Sequence, residues 1–201
     1  MRVGIAHHYG WAVAVTATDD HRVVDRRRIE LLEPGLPGAP IHHEGGTHEL
    51  HRSGPELTDG ELAALVASVR ASTERMTAAA LDELAAVTEA AGGQIESLSL
   101  RGWPDDFPTD IATLRRPPYE SRADSVMYLQ VLAEEAIRRG WAVHRYDAGT
   151  VEAAASRVLG DRAREVLHGP RTMLGAPWAK DHRTALAATV LAVASGGSTE
   201  R

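Results

Sequence analysis

The chain has 201 residues, of which 43% are hydrophobic and 25% charged; it has no cysteine and carries a formal net charge of −6. That length supports one sizeable core and is short for two, so a single domain over residues 1–195 with a flexible polar tail over 196–201 is expected. Disulfides and thiolate metal sites are excluded, no run approaches the roughly 18 apolar residues of a membrane span, and the acidic balance argues against strong nonspecific nucleic-acid binding.

The opening "MRVGIAHHYGWAVAV" enters a strand with no secretory apolar core, which points to a cytoplasmic protein. Residues 2–8 and 11–18 read as two strands around Tyr9-Gly10, the second alternating Trp11, Val13, Val15 and Ala17 against Ala12, Ala14, Thr16 and Thr18. Asp19-Asp20 turns the chain into a third strand over 22–32. Its Arg26-Arg27-Arg28 run suits an edge strand protected by charge.

Residues 33–57 lose periodicity and gather prolines, glycines and histidines, the composition of a long loop. Thr58-Asp59-Gly60-Glu61 is a capping-box sequence, and the apolar positions from Leu62 to Val87 continue at helical spacing until Gly92-Gly93. A strand in "QIESLSLRGW", a helix over 121–139, a strand in "WAVHRY", helices in 150–159 and 161–167, and a nearly all-apolar last helix from Asp181 complete the order. This is a mixed α/β arrangement with a hairpin start and crossover helices.

Five constellations could carry chemistry. His7 and His8 are neighbours at a strand end, so they point to opposite faces, and each is a polar strand-end residue or a functional ligand or acid/base group. Glu96 is an arginine partner or a ligand; Asp181 is a first-turn acid of the last helix or a ligand, with Lys180 and His182 beside it. In "IHHEGGTHELH" His42, His43, His48 and His51 could meet on a cation, but the H-E-x-x-H helix spacing is absent. Between Arg101 and Arg122, Trp103, Phe107 and Tyr119 alternate with guanidinium groups, a mixture suited to base stacking and equally to a protein interface.

The order of elements, together with Gly4-Ile5-Ala6-His7-His8-Tyr9-Gly10-Trp11, Ile95-Glu96 and Asp181-His182-Arg183-Thr184-Ala185-Leu186-Ala187, resembles the ribonuclease H-like superfamily, nearest to RuvC-type Holliday-junction resolvases. The resemblance implies a five-stranded mixed sheet: an antiparallel β1–β3 meander, then alternating helices and strands. It also implies two divalent ions held by carboxylates from the first strand, the fourth strand and the last helix. Ala6 stands where the first-strand carboxylate belongs, and Thr184 where the last helix has its second.

On this likeness the candidate catalytic residues are Glu96, Asp181 and His182, and the candidate metal ligands His7, His8, Glu96 and Asp181. The implied cofactor is a divalent metal, manganese or magnesium ahead of zinc, and the implied partners are nucleic acid and a second copy of the chain in a homodimer. Two readings follow: a nuclease with a remodelled metal site, or an inactive binding or dimerisation module. An actin-like kinase is disfavoured because no glycine-rich phosphate loop is present.

Overall fold

The computed structural model describes residues 1–47 and 54–196, with side chains to residue 193. Strands β1 (Arg2–His8) and β2 (Trp11–Ala17) turn back on each other through Tyr9-Gly10, where Gly10 has φ of 79°. Such a backbone favours glycine, which has no Cβ to clash. Strand β3 (Val23–Glu30) extends the antiparallel meander. A long helix, α1 (Asp59–Ala90), leads to β4 (Ser97–Arg101), which lies parallel to β1. Helices α2 (Ile111–Leu114) and α3 (Glu120–Arg138) precede β5 (Ala142–Tyr146), parallel to β4. The chain ends in α4 (Val151–Leu159), α5 (Ala163–His168), α6 (Pro170–Leu174) and α7 (Lys180–Gly196).

The sheet order is β3-β2-β1-β4-β5, the mixed five-stranded arrangement that the sequence pattern implies. Alternation along the strands divides the apolar side chains between two layers. Val3, Ile5, Ala12, Ala14, Leu98 and Leu100 pack with α1 and α3 on one face. Ala6, Val13, Val15, Ala17 and Tyr146 pack with α4 and α7 on the other. At Gly4 the second layer closes to backbone contact: a Cβ there would overlap the Ala185 carbonyl oxygen and lie 2.6 Å from its carbon.

The capping box forms as read. Thr58 accepts the Glu61 N–H, and the Glu61 carboxylate accepts the Thr58 N–H. β3 is an edge strand whose arginines are all engaged: Arg26 donates to the carbonyl oxygens of Leu174 and Gly175, Arg27 to Asp25 and Arg28 to Glu30. Among the described residues, no helix is long and apolar enough to cross a membrane.

Two features lie inside stretches read as loop or strand. Pro40–Gly45 forms a π-helical turn in the expected 33–57 loop. It is held by Asp124 of α3, whose two carboxylate oxygens accept the N–H groups of Ile41 and His42 at 3.0 and 2.9 Å. β4 begins at Ser97 rather than Gln94; just before it the Glu96 N–H donates to the Met1 carbonyl and the Glu96 carbonyl accepts the Ala142 N–H.

Arg115 clamps the same connection. Only 5% exposed, it donates to the Gly45 and Leu57 carbonyl oxygens and pairs with Glu56 and Asp59. Arg115→Met keeps the apolar stem and removes every one of these bonds. The expected result is protease cleavage between Gly45 and Asp59 several-fold faster than in wild type, read on a gel over time. Equal rates would show that other contacts hold the loop.

Candidate functional site

The carboxyl ends of β1 and β4 meet the first turn of α7 at one edge of the sheet. The parallel register pairs Arg2 with Ser97 and Gly4 with Ser99, so continuing it brings Ala6 level with Arg101, the last residue of β4. A cavity of about 140 Å³ opens there, lined by Ala6, His7, His8, Arg101, Tyr146, Ala148, Lys180, Asp181 and Thr184. The close approach of Gly4 to Ala185 sets α7 against β1 and so fixes the width of this cavity.

The two histidines diverge, as strand geometry requires. His8 Nε2 lies 3.0 Å from Asp181 Oδ2, and its ring stacks on Trp11 with centroids 4.0 Å apart. Arg28 covers the same indole at 4.0 Å, so guanidinium, indole, imidazole and carboxylate run in sequence from the edge strand to the last helix. His7 turns to the α3 layer, with Nε2 2.7 Å from Ser125 Oγ. Burial, then the positive charge of Arg101 and then His8, push its pKa down to about 4, so this imidazole is neutral at physiological pH.

Tyr146 donates its hydroxyl to the Ile5 carbonyl at 2.6 Å, and burial raises its pKa. Thr184 donates to Glu152 of α4, which also binds Arg183. Glu152 is thus committed to holding α4 and α7 together. Arg101 and Lys180 differ from all of these: neither side chain has a hydrogen-bond or ion-pair partner among the described residues.

The candidate residues separate. His7, His8 and Asp181 share the cavity; Glu96 and His182 do not line it. Glu96 precedes β4 at the opposite end of the strand, where it is 58% exposed and pairs with the Met1 ammonium at 3.4 Å and Arg2 at 3.5 Å. The physical reason is direction. In parallel strands the carboxyl ends form one edge, and a residue before the strand lies at the other. The expected proximity of Glu96 to the histidines and Asp181 is therefore corrected.

His182 is 8% exposed, accepts the Ala179 N–H on Nδ1 at 3.3 Å and packs its ring near Trp178. It closes the first turn of α7 from within. His42 and His43 belong to the π-helical turn, while His48 and His51 lie outside the described residues, as do residues 197–201 of the expected tail.

The aromatic stretch after Arg101 is mostly consumed by packing. Phe107 and Tyr119 meet edge to face at 5.6 Å beside a small apolar cluster, and Arg145 lies 3.9 Å over Trp103. Arg101 also lines a second cavity of about 130 Å³ with Tyr9, Trp103 and Arg122.

The β1–β3 meander, the parallel β4 and β5 and the interleaved helices define a ribonuclease H-like fold. Among solved structures, T. thermophilus RuvC in complex with Holliday junction substrate is similar to this chain, with a TM-score of 0.51 and 14% identity, over 98% of this chain and 96% of that one. In fold the chain is a divergent, RuvC-like example. No family model and no curated protein matches it.

Two hard divalent cations need several closely spaced oxygen ligands. Among the described residues, no three His, Asp or Glu side chains come together in a group that could hold a metal ion. Among the described residues Asp181 is the one carboxylate lining the cavity, and its oxygen already faces His8, while Arg101 and Lys180 line the same space. This donor set does not fit the metal pair that the fold family implies.

Sequence reasoning missed Tyr146, and read Arg101 only as part of the aromatic and guanidinium stretch, not as a neighbour of Asp181. The available signal was positional: both are the last residues of parallel strands, the edge at which open α/β sheets bind ligands.

Proposed function

We propose that this chain is a ribonuclease H-like nucleic-acid-binding module that does not hydrolyse its ligand through divalent metals. The observation that carries the reading is the exchange of charge at the sheet edge: Ala6 and Thr184 replace ligands, and Arg101 and Lys180 line the cavity with a single carboxylate. Cations at that edge attract phosphates and repel the ions that a two-metal mechanism needs. The T. thermophilus protein was solved on a Holliday junction, which supports nucleic acid as the ligand class.

The test compares cleavage with binding. A four-way DNA junction and an RNA–DNA hybrid are incubated with the protein in Mg²⁺ or Mn²⁺, and parallel samples are read by gel mobility shift. The expected outcome is a shift without products. Metal-dependent products that disappear in Asp181→Asn would instead establish the nuclease with a remodelled site. Sedimentation velocity on the same samples reads the homodimer, which this proposal includes as the form presenting two such edges.

A further inference from the structure

We propose that Arg101 and Lys180 form a metal-independent oxyanion site for a single phosphate group, the guanidinium and ammonium taking the electrostatic place of divalent ions. The inference rests on the nucleic-acid reading above and adds what occupies the cavity and what holds it there.

Geometry comes first. Arg101 ends β4 and Lys180 opens α7, two elements packed together, and both residues line the same cavity at the sheet edge. Most of the protein's arginines near acidic groups are spent: Arg2, Arg27, Arg28, Arg70, Arg75, Arg115, Arg139 and Arg183 all pair with carboxylates. Arg101 and Lys180 are left without such a partner among the described residues, although Asp181 lines the cavity with them. Asp181 is directed to His8 instead. The cavity therefore carries two uncompensated donors of five and three N–H groups.

The cavity of about 140 Å³ is open at the sheet edge, so one tetrahedral oxyanion can enter it while the rest of the ligand stays outside. Guanidinium groups match phosphate oxygens in a planar fork, and an ammonium adds a compact charge, so the pair suits phosphate better than a lone carboxylate. Arg101 is shared with a second cavity lined by Tyr9 and Arg122, next to which the neighbouring part of a strand would lie. Phosphate of this kind comes from a backbone phosphodiester or from a strand terminus.

Three probes separate the alternatives: inorganic phosphate, a short single-stranded oligonucleotide with a 5′-phosphate, and the same oligonucleotide with a 5′-hydroxyl. Each is titrated by calorimetry into wild type, Arg101→Met and Lys180→Met, once in EDTA and once in Mg²⁺. The expected result is affinity unchanged by EDTA and reduced about tenfold by either substitution. Each variant should also lower the salt slope by about one counterion. Preference for the 5′-phosphate identifies a terminus, and equal binding a backbone phosphodiester; both support the site.

Binding that requires Mg²⁺, or that is equal in wild type and both variants, overturns the proposal. Phosphate binding without oligonucleotide binding keeps the site and refutes the nucleic-acid reading. Neither side chain has a hydrogen-bond or ion-pair partner among the described residues, so unchanged melting curves in both variants provide the folding control.

Discussion

Replacing Gly4 with alanine should lower stability by roughly 3 kcal/mol, the upper part of the range for overpacking a close-packed interior. For a chain of this length that corresponds to a fall in Tm of roughly 10 °C. The added methyl would coincide with the Ala185 carbonyl, and the opposing atoms are backbone on both sides, a central strand and a buried helix. Neither can relax by choosing another rotamer. A Tm within 2 °C of wild type would mean that α7 has room to move away from β1, and that the cavity width is set by something else.

The second large effect is a pH dependence centred on Asp124. Burial pushes its pKa up to about 7, against the opposing pull of the N–H groups of His42 and Ile41. Between about pH 4 and pH 7 the folded protein therefore holds a proton that the unfolded chain has released. The contribution is fully present below pH 4 and is lost as pH rises through 7, by roughly 4 kcal/mol for a shift of this size.

His7 acts with the opposite sign. Its folded pKa of about 4 lies below that of the unfolded chain, so its contribution disappears as pH falls from about 6.5 to 4. Chemical denaturation at pH 5 and pH 8 separates the two. Wild type should lose stability over that interval relative to Asp124→Asn, and His7→Gln should steepen the loss. Parallel curves for wild type and Asp124→Asn would show that the carboxyl is ionised throughout.

The Asp124 result also bears on how much was legible beforehand. The meander could be read because Trp11–Ala17 alternates strictly and Tyr9-Gly10 marks its turn, and α1 because Thr58 and Glu61 sit three apart ahead of apolar positions at helical spacing. These are local signals, written within a few residues of the structure they specify. The turn at Pro40–Gly45 was hidden because its anchor, Asp124, is 83 residues from Ile41 and looks like any acidic residue of an amphipathic helix.

The site was legible in part for the same reason. Asp181 and His8 could be suspected from short motif matches. Arg101 could be suspected as a stacking or interface contact from the stretch it opens, but not as a neighbour of Asp181, which depends on where β4 ends relative to β1. Ile95-Glu96 misled because a two-residue match says nothing about which end of a parallel strand it occupies. Position along the strand decides the matter, and only the ladder register supplies it.

The column from Arg28 through Trp11 and His8 to Asp181 joins the first hairpin to the last helix, and its final contact spans 173 residues. Contacts of that separation must close nearly the whole chain into a loop before they return any free energy, which places them late in folding. A nascent chain that has completed its sheet, but still lacks α7, has β1 and β2 with their Ala6, Val13 and Val15 face uncovered and no cavity beside it. Assembly of the cleft therefore coincides with the end of folding, so the protein acquires its ligand edge and loses its stickiest surface in the same event.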